Sequence, residues 1–261
     1  MKHKKFAFTM AEVLITLGVI GVVAAMTMPT LIQNYQKKAW TTQLQKTVNM
    51  LENGFKLAMA EDEVMELENT KLIQSMGKNG RSKDNDAFFN ELKKYFKIIK
   101  IKSRFDEYGG YKTLSGIDFL SGEGNYSSNG IYFADGSLII LSIFNEIIKY
   151  DTEECNNIKL LGGNLCEYVQ KSYFDIDVNG DKGPNQYGRD RFTFLLGNNG
   201  KLYPSGGKDF ALCNDQTELS NNGYYWNGSN SYYNCDPKDK TGNIGDGCAR
   251  RIMENGWKMD Y

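Results

Sequence analysis

Lys2-His3-Lys4-Lys5-Phe6-Ala7-Phe8-Thr9-Met10-Ala11-Glu12 runs directly into Val13-Leu-Ile-Thr-Leu-Gly-Val-Ile-Gly-Val-Val-Ala-Ala-Met-Thr-Met-Pro29. A short basic leader meets an apolar run, and one carboxylate stands at its entrance. A membrane helix needs roughly 20 mostly apolar residues, and residues 8–32 supply that length. A charge at the edge of such a helix is costly, so Glu12 calls for a functional reason. A secretory signal peptide would share the basic start and apolar core, with Val23-Ala24-Ala25-Met26 as a weak small-residue cleavage site. A plain anchor accounts for the length. Neither reading accounts for Glu12.

Ala7-Phe8-Thr9-Met10-Ala11-Glu12 resembles the Gly-Phe-Thr-Leu-x-Glu processing site of type IV prepilins and type II secretion pseudopilins. Phe8, Thr9 and Glu12 match in type and spacing, and Ala7 stands where the family has Gly. Pro29 falls where such helices often carry a proline near the far membrane face. The resemblance implies cleavage between Ala7 and Phe8 by prepilin peptidase, which also methylates the new amine on Phe8. It further implies that Glu12 neutralises the N-terminal amine of a neighbouring subunit inside a bundle of helices. Either charge alone in an apolar medium is very unfavourable, and pairing offsets much of that cost. The implied partners are other pilin-like subunits, the peptidase/methyltransferase and the inner-membrane assembly machinery. The implied location is the bacterial inner membrane with the head outside the cytoplasm, then a pilus or pseudopilus in the periplasm or at the cell surface.

Composition limits the alternatives. Loss of Lys2, Lys4 and Lys5 with the leader takes 31 basic side chains to 28, against 32 acidic ones. No basic excess marks a nucleic-acid binder. The single histidine of the 261 residues is His3, inside the leader. Ser-His-Asp and Cys-His catalysis and histidine zinc sites are thereby excluded from the mature chain. No Gly-rich phosphate loop or nucleophile elbow is present, and the expectation is a protein that is not an enzyme. About 200 residues remain for a soluble head, enough for one core.

Beyond Pro29, Leu44, Val48, Leu51, Phe55 and Ala58 recur at steps of four and three, with Met59 beside them. That spacing predicts one apolar stripe on an amphipathic continuation of the helix. Gly54 within it is a modest cost. Residues 84–96 read as a second helix, capped by Asp84 and apolar at Phe88, Phe89, Leu92, Tyr95 and Phe96. Further on the period shortens to two. Residues 131–134 and 137–141 flank Asp135-Gly136 as a hairpin, 172–178 read as a strand, and 191–196 with 201–203 form a second hairpin. Residues 246–261 hold one short helix with Gly256 as its stop. A helix packed on an antiparallel sheet buries these faces most simply, and the resemblance implies the same arrangement.

The expected fold is therefore α+β and pilin-like: a long N-terminal helix packed on an antiparallel β-sheet head with a disulfide-tied C-terminal loop region. Its divisions are the leader 1–7, a transmembrane or filament-core helix 8–32, its amphipathic continuation 33–61 and a globular head 62–261. Cys155, Cys166, Cys213, Cys235 and Cys248 all lie in that head. An exported head favours disulfides; Cys155–Cys166 and Cys235–Cys248 are the first two pairings, with Cys213 competing.

Asp175-Ile-Asp177-Val-Asn179-Gly180-Asp181 is the strongest chemical motif of the head. Clustered Asp and Asn oxygens suit calcium, a hard ion with about 6–8 oxygen ligands. An EF-hand needs Glu six residues after the glycine, where this chain has Gln186, so Asp190 is the expected closing ligand instead. The alternative is an Asx-rich turn whose charge Lys182 and Arg189 balance without metal. Residues 220–247, with Trp226 among Tyr224, Tyr225, Tyr232 and Tyr233, have loop composition and offer a binding or adhesion surface. Two functions remain in view: a structural filament subunit of minor or specialised type, and a surface-binding module delivered by a filament or by its membrane helix.

Overall fold

The computed structural model describes residues 9–76, 86–105, 110–118, 128–141, 159–160, 163–164, 173–204, 235–238, 245 and 247–261. The chain forms two compact units, Met1–Ala39 and Trp40–Tyr261. Helix α1, Met10–Glu61, takes in residues of both. Its start is a capping box. The Thr9 hydroxyl accepts from the Glu12 amide, and the Glu12 carboxylate accepts from the Thr9 amide and hydroxyl at 2.8 Å. Pro29 lies inside the helix, where it removes the hydrogen bond to the carbonyl four residues earlier.

The second unit is built on the apolar stripe. Leu44, Val48, Leu51, Phe55 and Ala58 are all buried, and Met59 is partly so. Gly54 is part of the buried face for a steric reason: an added Cβ would lie 2.1 Å from the Phe96 ring. Phe96 comes from the end of the next long helix and stacks edge-on against Phe55 and Phe133. A short helix α2, Lys71–Gln74, and helix α3, Asp86–Tyr95, cover the same region. Asp84, expected as the α3 cap, lies outside the described residues.

The strands are β1 Ile98–Phe105, β2 Ser128–Phe133, β3 Leu138–Leu141, β4 Lys159–Leu160, β5 Gly163–Asn164, β6 Tyr173–Asp177, β7 Arg191–Leu196 and β8 Leu202–Pro204. Six of them form an antiparallel sheet in the order β1-β2-β3-β6-β7-β8, and β4 pairs with β5. The expected hairpins are β2–β3 and β7–β8, and the expected third strand is β6. Strand β1 is not predicted by the period of two. It follows α3 by two residues, and its Lys100 and Lys102 interrupt the apolar run that marks the other strands.

Register explains the two faces of the sheet. Ile131, Ile139, Ile176 and Phe192 are consecutive partners across β2, β3, β6 and β7. All four join the core with the α1 stripe. One residue along, Tyr132, Leu138, Asp177 and Arg191 are partners on the opposite face. A period of two thus separates the apolar core from a polar one. Glu52 of α1 accepts from the Leu202 amide at 3.0 Å, and Gln43 donates to Asp135 at 2.9 Å, so the helix also holds the sheet through polar contacts.

The chain ends in helix α4, Cys248–Glu254. Gly256, at φ +65°, donates to Met253, and Trp257 donates to Ile252. Those two bonds are a Schellman motif, the stop that Gly256 predicts. Trp257 and Met259 then pack on the core.

Candidate functional site

The opposite face of the sheet carries a buried cluster of charge. Asp175 and Asp177 alternate with Ile176 on β6 and therefore share that face. Arg191, the first residue of β7, is wholly buried and pairs with Asp175 through both its Nε and Nη2. Its guanidinium lies 4.2 Å from the ring centroid of Tyr111 and 4.4 Å from that of Tyr187. Such stacking on two aromatic faces supports a desolvated cation. Burial opposes its charge, but Asp175 and the two tyrosines outweigh burial and hold Arg191 protonated.

Asp177 and Asp190 are also without exposure. Asp177 accepts from the Tyr111 hydroxyl at 2.9 Å and from the Asn179 amide at 3.1 Å. Asp190 accepts from the amides of Asn185 and Gln186 at 2.8 and 2.6 Å. Burial, and then the charge of Asp190, pushes the Asp177 carboxyl up to about 8. Burial likewise pushes Asp190 up, against the hydrogen bonds that favour its ionised form. Burial, and then the charge of Asp177, pushes the Tyr111 phenol up. Gln186 donates from its side chain to the carbonyls of Thr113 and Leu114, both at 2.9 Å, and so fastens the 178–190 loop to residues 110–118.

The sequence profile of one protein family covers residues 30–261, most of the chain. The chain belongs to DUF6613, a family of unknown function. The matched span takes in the whole charge cluster and the second half of α1, and it leaves out Glu12 and the residues around the expected cut. No curated protein and no solved structure matches the chain.

The five expected calcium ligands part company in this member of DUF6613. Asp175 is taken up by Arg191, with the Tyr187 hydroxyl at 3.3 Å. Asp181 is exposed and accepts from the Tyr132 hydroxyl at 2.8 Å. Asp177 and Asn179 remain joined through the Asn179 amide, and the charge of Asp190 acts on Asp177. Among the described residues no three His, Cys, Asp or Glu side chains are grouped to hold a metal ion. The Oδ1 atoms of Asn179 and Asn185 are nevertheless buried without a partner. Carboxylate and amide oxygens of this kind are the ligand types that a hard cation takes. The cation that balances Asp175 is Arg191, in place of the expected Lys182 and Arg189. Lys182 is exposed and Arg189 has a buried Nε without a partner. Sequence spacing marks Arg191 only as the start of a strand and does not distinguish Tyr111 or Tyr187. Their place in the cluster depends on a loop folding across the sheet, which no local spacing encodes.

Cys235 and Cys248 are disulfide-bonded, at an S–S distance of 2.08 Å. Cys155, Cys166 and Cys213 lie outside the described residues, as do Ala7, Phe8, Trp226 and its neighbouring tyrosines. Helix α1 is long and apolar enough to cross a membrane, a property that a signal sequence near the N-terminus shares.

Proposed function

We propose that this chain is a prepilin-like structural subunit, cut between Ala7 and Phe8, methylated on Phe8 and assembled into a type IV pilus or type II secretion pseudopilus. The observation that carries the reading is the surface of the first half of α1. Leu14, Ile15, Ile20, Met26 and Leu31 are between 63 and 74% exposed there. Glu12 is the one charge between Thr9 and Gln36. An exposed apolar surface of this extent marks contact with membrane or with partners. Lipid before assembly and neighbouring helices after it satisfy that surface in turn. Only the second of these supplies Glu12 with a cation, the neighbour's amine. The size of the head favours a minor or specialised subunit.

The test is mass spectrometry of the N-terminal peptide of protein purified from its own cells. The expected peptide begins at Phe8 and carries one added methyl group. An uncut N-terminus, or a start after Ala25, sinks the proposal. Glu12→Val is expected to remain in the membrane fraction and to enter filaments poorly.

The orphaned oxygens of Asn179 and Asn185 favour a second, smaller proposal: calcium bound by these two residues with Asp177 and Asp190. A ligand that binds the folded head alone must raise its stability. Melting in millimolar calcium is expected above melting in chelator, and the difference is expected to vanish in Asn179→Ala. Equal melting of the wild type in both buffers removes calcium from the account.

A further inference from the structure

The loop that delivers Asp190 and Arg191 is gripped at one residue, Gly188, by the C-terminal segment. Gly188 has φ +73°, and a Cβ there would lie 2.7 Å from the Sγ of Cys248. Its carbonyl accepts from the Tyr261 hydroxyl at 2.6 Å. The Arg251 guanidinium sits over the Tyr261 ring, 5.1 Å from its centroid. Arg251 also donates to the Cys235 carbonyl at 2.7 Å and to Asp260 at 2.8 Å. Disulfide, Arg251 and Tyr261 thus close on one another, and Gly188 is where that unit meets the charge cluster. From inside the loop, the Gly188 amide donates to the Arg191 carbonyl at 2.8 Å, so the grip is transmitted to the residue that neutralises Asp175.

A buried cluster of charges is stable only while every donor stays in place; a half-satisfied one is worse than an apolar core. Gly188 lies two residues from Gln186, whose amide donates to Asp190 together with that of Asn185. From this geometry we infer that the Cys235–Cys248 bond is a redox-conditional latch on residues 185–191. With the bond formed, the loop is pressed onto the sheet and the cluster is dry. With two free thiols, residue 235 and the start of α4 are no longer tied, the contact on Gly188 loosens and water reaches Asp177 and Asp190. In closing the latch, Cys235 and Cys248 lose two protons and two electrons to a disulfide-bearing oxidant, which leaves as a dithiol. Cys248 is wholly buried and Cys235 is 7% exposed, so a reducing thiolate reaches the bond through local opening of the C-terminal segment rather than of the whole core. The head accordingly completes its charge cluster only after it meets an oxidising compartment. This inference is independent of the filament reading.

The test is amide hydrogen exchange, read by mass spectrometry on the full chain in detergent. Wild type is compared with the double variant Cys235→Ala/Cys248→Ala, which leaves the other three cysteines in place. Residues 185–191 are expected to exchange about tenfold or more faster in the variant, while strands β2 and β3 and residues 44–58 of α1 keep their protection. Unchanged exchange at 185–191, or equal acceleration throughout the head, overturns the latch. If the double variant does not fold, wild-type chain is treated with dithiothreitol and the two cysteines are followed by alkylation. Exchange at 185–191 is then expected to rise with their reduction and before the core opens. Core opening that precedes or accompanies it overturns the latch equally.

Discussion

At Asp177, Tyr111 and the Asn179 amide hold a carboxyl group that has no contact with water. Burial and the charge of Asp190 lift it from 3.8 to about 8. Its folded-state value lies above its unfolded one, so the folded head binds the proton more tightly. That contribution to stability is full below about pH 4 and is lost as pH rises through about 8. One proton corresponds to a slope of at most about 1.4 kcal/mol per pH unit. In chelator, wild-type urea midpoints are expected to fall from pH 5 to pH 8.5, and those of Asp177→Asn to fall distinctly less. Parallel curves would place the titration elsewhere. Thr47 offers a second test at this scale. Its hydroxyl is buried on α1 without a partner, and a desolvated, unpaired hydroxyl only costs stability. Thr47→Val is expected to stabilise the head by about 1 kcal/mol in denaturant unfolding; a loss of stability would show that the hydroxyl is satisfied in solution.

Helix α1 shows how one element answers two different surroundings. Its stripe at Leu44, Val48, Leu51, Phe55 and Ala58 is visible as a period of 3.6, and every member is buried. Gly54 in the same stripe looked like a small defect, since Gly costs a helix about 1 kcal/mol relative to Ala. Its role became visible only with Phe96 laid over it at a distance that no Cβ tolerates. Overpacking of this kind costs about 1–3 kcal/mol and exceeds the gain in helix propensity. Gly54→Ala is therefore expected to destabilise the head by up to about 2 kcal/mol, and Phe96→Leu in that background to recover part of the loss. Stabilisation by Gly54→Ala would mean that Phe96 does not occupy this place.

For the whole molecule, apolar burial divides sharply along α1. Within the second unit the core draws on α1 through Trp40, Leu44, Val48, Leu51, Phe55 and Ala58, and along residues 10–32 the helix surface is exposed apart from the half-buried Ala24. A chain beginning at residue 33 is expected to stay soluble without detergent and to unfold in one cooperative step, while the full chain partitions into membranes. Sedimentation and thermal melting of the two chains check this. Aggregation of the shorter chain would mean that the head needs the apolar segment for its own folding.

The sequence by itself determined the apolar segment with Glu12 at its entrance, the amphipathic stripe, both hairpins, strand β6 and the stop at Gly256. Each of these is written in a local period or in a turn residue, and local periods survive without knowledge of neighbours. The Cys235–Cys248 pairing stood in the sequence only as one of several combinations. Strand β1, the fit of Gly54 to Phe96 and the pairing of Arg191 with Asp175 between two tyrosines were decided by tertiary structure. In each of them the deciding contact is made across strands or between a loop and the sheet, and the physical quantities concerned, burial, steric clearance and desolvated charge, exist only once those distant residues have met.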